Sequence, residues 1–214
     1  MRTATLGYSP QDTLGIGVEF IRQLKRRRTF VAFLLVVALP LIVVAAVRFG
    51  PSSNGDAGSS QGGGFGGGNF DLVGLATSGA WNFTITMLLF SSGFLLVIIA
   101  AMFLGDTVAS EASWSTLRYL LVAPVPRRKL LRTKAVVGLL LTAIVLLTLV
   151  LASWAIGAIA FGTAPLASPF GGALTQIESL QRLTVITTYI AITLLFPAAI
   201  AFLMSVLTDV PLGA

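Results

Sequence analysis

Four long apolar stretches, each set off by polar segments, organise the chain. They run over about residues 30–47, 83–104, 135–161 and 183–207. Each supplies about the 20 helical residues that cross a hydrocarbon core of roughly 30 Å. Their interiors carry no ionisable side chain. That is the pattern expected where each such group costs about 2.5–3.5 kcal/mol at the bilayer centre. The pattern predicts an all-α, polytopic membrane protein with four transmembrane helices. Pro40 and Pro197 fall inside two of the runs and predict kinks there, with neighbouring helices satisfying the freed carbonyls. The first run follows a long polar arm and shows no small-x-small cleavage site, so it reads as a retained span rather than a signal peptide.

Two shorter stretches have helical apolar spacing without the length to cross. In the arm, residues 1–28, Ser9, Pro10 and Asp12 form a helix-start signature. Leu14, Val18 and Ile21 then recur at i, i+4 and i+7, with Phe20 and Leu24 beside them. Glu19, Arg22, Gln23 and a basic run occupy the other face. Gly15 and Gly17 weaken this helix by about 1 kcal/mol each relative to Ala. A lipid interface would support it, with the apolar face in the headgroup boundary and the basic face on anionic lipid. The second short helix starts near Ser113. Trp114, Leu117 and Leu121 share one face, Ser115 and Arg118 lie away from it, and Pro124 and Pro126 end it. Residues 29–214 thus form a transmembrane domain containing a polar loop, 105–134, and a second loop, 48–82.

Charge orients these elements. The net charge is +6, yet only 10% of residues are charged, against about 25% in ordinary soluble domains. The basic residues are unevenly spread. Arg22, Lys25, Arg26, Arg27 and Arg28 precede the first span, and Arg118, Arg127, Arg128, Lys129, Arg132 and Lys134 lie in the loop 105–134. The other two loops hold Arg48 and Arg182. The positive-inside rule places the N-terminus, the loop 105–134 and the residues near Asp209 in the cytoplasm. The basic residues flanking the spans, Arg22 to Arg28 and Arg127 to Lys134, are read as a membrane-surface anchor, and the bilayer rather than nucleic acid as the partner of the positive charge. The outer loop contains "SSNGDAGSSQGGGFGGG", a flexible linker by composition. Its glycines are no phosphate-binding fingerprint, because no strand precedes them. Asn82-Phe83-Thr84 matches a glycosylation sequon but sits at a span edge and reads as chance.

Several chemistries are disfavoured. The chain has no Cys and no His, which removes disulfides, Cys/His metal sites and nucleophile–His pairs. It has no G-x-x-x-x-G-K-[ST] to cradle ATP phosphates. Ser91, Ser92, Ser153 and Ser205 fall in spans without a recognisable base, and hydroxyls there pack helices. No catalytic or metal-ligating residue is expected.

The basic cluster alone is explained by topology and headgroup binding. Glu111 and the amphipathic helix after it are not. "GDTVASEASWSTLRYLLVAPVPRRKLLRTK", residues 105–134, resembles the intracellular loop of ATP-binding-cassette permeases of the type-2 exporter superfamily. The matching positions are Gly105, Asp106, Glu111, Thr116, Leu117, Arg118, Leu120, Leu121, Pro124, Val125, Arg127 and Lys134. Ser115 stands where the family usually has Gly, and the family usually has six spans against the four runs here. The basic arm also resembles that family's connecting helix.

The resemblance implies a non-catalytic permease subunit in a bacterial plasma membrane, working with a separate cytoplasmic ATPase in two copies that binds the ATP and Mg. It implies that the short coupling helix, through Glu111, Trp114, Thr116, Leu117, Arg118, Leu120 and Leu121, docks in a groove of that ATPase. It also implies a second permease copy or a related permease. The competing reading is a membrane scaffold or accessory subunit with no transport path of its own. Orientation is directly testable. In this cysteine-free chain, single cysteines at Ser9 or Ser115 should react with an impermeant maleimide only in inverted vesicles. One at Ser59 should react only in right-side-out vesicles.

Overall fold

The computed structural model describes residues 16–49, 72–113, 127–166 and 174–207. About 90% of these residues are helical and none is in a strand. The helices are α1 (Ile16–Leu24), α2 (Arg27–Phe49), α3 (Leu72–Thr77), α4 (Ala80–Ser92), α5 (Leu95–Ser113), α6 (Arg127–Phe161) and α7 (Gln176–Leu207). Three of them, α2, α6 and α7, are long and apolar enough to cross a membrane, and α4 with the first part of α5, bent by 53° at their junction, brings the number to four if the bent pair is one span. The protein is therefore an all-α polytopic membrane protein.

Two span boundaries differ from the sequence reading. The second span is not one helix: it breaks at Gly93–Phe94. Ser-Gly pairs are common sites of helix breaks, and here the Ser92 hydroxyl donates to the Leu89 carbonyl at 2.8 Å, satisfying a carbonyl near the break. The third helix begins at Arg127, not Ala135. The basic cluster from Arg127 to Lys134 therefore lies on the first two turns of α6 and not in a loop. Both α2 and α7 continue through Pro40 and Pro197.

The chain divides into two compact units. One comprises residues 33–94 and 146–191. Its core joins Ala76, Phe83 and Met87 to Leu39, Val43 and Val44 of α2 and to Ile156 and Phe161 of α6. Helices α4 and α6 approach closely because Gly157 has no side chain. A Cβ there would lie 3.0 Å from the Phe83 ring and 3.2 Å from the Ala80 Cα. Small residues serve this purpose where lipid supplies no hydrophobic drive between helices. Trp81 and Trp154 meet edge-on, with ring centroids 6.1 Å apart.

The helix ends in this unit are tied down individually. Gly162 follows α6 with φ +79°, a left-handed residue that lets its N–H return to the Ala158 carbonyl. The Gly162 carbonyl then accepts from Ala80 N–H, the first residue of α4, at 3.0 Å. Arg48, in the last turn of α2, donates to the Ala160 carbonyl at 2.8 Å, placing a cation at the negative end of α6. Thr175 and Glu178 form a reciprocal capping box at the start of α7. Asn82 is buried and donates to the Ser78 hydroxyl, so the apparent sequon is closed to a glycan.

The other unit comprises residues 1–32, 95–145 and 192–214. It contains all the Lys and Arg residues except Arg48 and Arg182. Helices α5 and α6 pack here at Gly138, where a Cβ would meet the Leu104 side chain at 3.0 Å.

Overpacking these contacts gives a measurable cost. Gly157→Leu should lower stability by about 1–3 kcal/mol, read as a lower thermal midpoint in detergent. Gly17→Ala has nothing within 4 Å of the new methyl and removes a helix-weakening glycine, so its midpoint should rise or hold. Equal midpoints for Gly157→Leu and the parent would show that α4 and α6 do not pack as described.

Candidate functional site

The helix α1 has a polar face in a place where such faces usually meet water. Glu19 and Gln23 are buried, 5% and 4% exposed, while Val18, Ile21 and Leu24 point outward. Spacing of i and i+4 puts Glu19 and Gln23 one turn apart on the same side. The Glu19 carboxylate accepts from Gln23 Nε2 at 2.9 Å and from Arg22 Nη2 at 3.0 Å, so its local partners come from its own helix.

Across from it lies Lys134. Its side chain is 1% exposed, its ammonium donates to the Thr107 carbonyl of α5 at 3.0 Å, and it stands 3.9 Å from the Glu19 carboxylate. Three helices therefore meet at one buried charge: α1 through Glu19, α5 through the Thr107 carbonyl and α6 through Lys134. Thr107 turns its hydroxyl back to the Leu104 carbonyl. Thr29, at the start of α2, bonds the Gln23 carbonyl at 2.7 Å and closes the turn after α1.

This arrangement corrects two expectations. Lys134 is no part of a membrane-surface anchor, because its ammonium is buried among three helices. Glu19 and Gln23 do not join Arg22 on a headgroup-facing side; they face the protein. The outward face of α1 is its apolar stripe, the face a lipid interface would meet. The other expected anchor residues divide as follows. Lys25, Arg27 and Arg132 are exposed, Arg22 is half exposed and paired with Glu19, and Arg26 and Arg28 are half-buried. Arg127, Arg128 and Lys129 lie in the first turn of α6.

Of the expected docking residues, Glu111 belongs to the last turn of α5. Trp114, Thr116, Leu117, Arg118, Leu120 and Leu121 lie outside the described residues, as do Ser9, Leu14 and the glycine-rich loop. Helices α5 and α6 bracket the 114–126 segment directly. Among the described residues, no group of three or more His, Cys, Asp or Glu side chains could hold a metal ion.

Sequence reasoning missed the Glu19–Lys134 contact. One signal was present: Glu19 is the only acid between Asp12 and Asp56, set in a basic arm. Lys134 was marked only as a position of the loop resemblance, which pointed to no partner in the arm.

Comparison with known proteins places the chain in a family. Residues 67–212, about two thirds of the chain, match the family described as "Protein of unknown function (DUF2705)". The chain belongs to the DUF2705 family. No curated protein and no solved structure matches it. In this DUF2705 member the matched region takes in Thr107, Lys134 and all of α3 to α7, while Glu19 and α1 precede it.

The electrostatics of Glu19 are set by opposing causes. Burial raises its carboxyl, but the hydrogen bonds from Gln23 and Arg22 and the charges of Lys134 and Arg22 outweigh that and hold it below its ordinary value of 4.5. A carboxyl lowered on folding stabilises the folded state fully above its unfolded value and ceases to do so as pH falls through the folded one. The thermal midpoint of the detergent-solubilised protein should therefore fall below pH 4.5 more steeply than that of Glu19→Gln. Parallel curves for the two proteins would show that Glu19 carries no such linkage.

Proposed function

We propose that the chain is the membrane-spanning subunit of an ATP-driven exporter in a bacterial plasma membrane, with its N-terminus cytoplasmic and a separate cytoplasmic ATPase as its energy source. One observation carries the reading. Helix α5 runs unbroken from Leu95 in the apolar region to Ser113, and α6 runs unbroken from Arg127 to Phe161. The segment that resembles a coupling helix, 114–126, follows one such helix and precedes the other in sequence, so a push passed to either helix end would reach a span along a continuous helix.

The division of labour follows from chemistry. The chain has no phosphate-binding loop, so ATP and Mg belong to the ATPase partner. The helical spacing expected for Trp114, Leu117 and Leu121 would suit a groove, and Glu111 and Arg118 would add charges of opposite sign that fix register. Two ATPases with two permease chains, identical or related, make up the exporter on this reading.

The docking proposal predicts that the parent chain co-purifies with a cytoplasmic ATPase and that Glu111→Lys and Leu117→Asp each abolish this, while the variant chains still insert in the membrane. Retained binding by both variants overturns it. A chain that binds no ATPase, and stimulates none when reconstituted, is instead the accessory subunit.

A further inference from the structure

We propose that residues 160–166 are a strap that opens and closes over one end of the unit 33–94 and 146–191, hinged at Gly162 and latched by Arg48. On the exporter reading this is the non-cytoplasmic end, where cargo would leave. The inference rests on that reading for its purpose and not for its geometry.

At this end α2 and α6 finish, and α4 and α7 begin. A helix that stops leaves its last carbonyls without intrahelical donors. Here other helices supply donors to the end of α6 and to the residues that follow it. The Ala160 carbonyl accepts from Arg48 of α2 at 2.8 Å. The Gly162 carbonyl accepts from the Ala80 N–H of α4 at 3.0 Å. The Thr163 carbonyl accepts from Gln176 Nε2 of α7 at 3.5 Å. Leu166 N–H donates to the Ser179 hydroxyl of α7 at 3.4 Å. Ala164 lies against Gly79, where a Cβ would stand 3.2 Å from the Ala164 Cβ. One short segment thus touches the ends of α2, α4 and α7, and Ala80, Trp81, Asn82 and Phe83 at the start of α4 are buried.

The same geometry suits the segment to opening. Gly162 has φ +79°, and nothing lies within 4 Å of its Cβ position, so the chain can turn there unobstructed. Thr163, Ala164 and Pro165 are exposed, and the bonds from Arg48 and Gln176 lie on the surface. Segments with exposed hydrogen bonds and few buried apolar contacts are where local opening begins. Closure also carries a cost. Trp81 Nε1, on the residue next to Ala80, is buried without a hydrogen bond. An opening that lets water reach it removes that cost and narrows the gap between the two states.

The chain has no cysteine, so the strap can be locked by an introduced pair. Gly79→Cys with Ala164→Cys sets two Cβ atoms near the spacing of about 3.5–4.5 Å that a disulfide needs. Gly79 is extended, with φ 164°, a conformation open to any residue. Deuterium exchange of the amides of residues 80–84, read by mass spectrometry on the full chain in lipid nanodiscs, reports opening. The pair should form a disulfide, and its oxidised form should exchange about tenfold more slowly than its reduced form. Arg48→Gln, without the latch, should exchange about tenfold faster than the parent. A pair that does not cross-link, oxidised and reduced forms that exchange alike, or parent-like exchange in Arg48→Gln overturns the proposal. If the double variant does not fold, Arg48→Gln against the parent decides by the same criterion. No ATPase is present, so failure here leaves the exporter reading to its own experiment.

Discussion

Hydrocarbon offers no partner to a backbone N–H, a carbonyl or a charge, so each of these has to be satisfied within the chain. The described structure follows from that constraint. It makes the described spanning segments helices, and it explains where many of their threonine hydroxyls go, although Trp81 Nε1 and the hydroxyls of Ser91, Ser153 and Thr187 are buried without a hydrogen bond. Thr84, Thr142, Thr184 and Thr188 each return their hydroxyl to the carbonyl four residues earlier. A hydroxyl folded onto its own helix in this way adds no demand on a neighbour. At the ends, where four carbonyls and four N–H groups run out of intrahelical partners, the chain supplies Gly162, Arg48 and the Thr175–Glu178 box. The break after Ser92 is a further set of helix ends, set between two apolar helices.

Apolar packing and charge do different jobs under this constraint. Between α4 and α6, and again between α5 and α6, the helices are held by close approach over Gly157 and Gly138. Such packing has one arrangement, because the neighbouring side chains leave no second place for a displaced ring or methyl. The contact of α1 with its unit is of another kind. Val18, Ile21 and Leu24 are turned out while Glu19 and Gln23 are turned in and Phe20 is half-buried, so charge and hydrogen bonding take part in seating it.

The spans were readable in the sequence because the cost of charge in hydrocarbon leaves a gap in the charge pattern that composition exposes directly. Their ends were less readable. A helix continues past the apolar run whenever propensity and side-chain partners permit, and Arg127 to Lys134 are good helix formers apart from Thr133. The Gly93 break hid among apolar neighbours, because a Ser-Gly pair in a span is compatible with either a straight or a broken helix. The Glu19–Lys134 contact joins residues more than a hundred positions apart, and no local pattern announces a pairing of that range. The amphipathic pattern of α1 gave the correct faces but not which of them meets protein. Periodicity sorts residues by side, and only tertiary contacts decide what each side touches.

On the exporter reading, these two kinds of contact have consequences for how a signal could travel. A unit packed over glycines and aromatic rings moves as a body or not at all. Helix α1 meets α6 through the Glu19–Lys134 charge contact at 3.9 Å, beyond hydrogen-bond reach. Lys134 stands on α6 two turns after the loop, faces Glu19 and donates to the Thr107 carbonyl of α5. A change in the loop that shifts α6 by about an ångström acts directly on the Glu19 contact, which already lies at the outer limit of an ion pair.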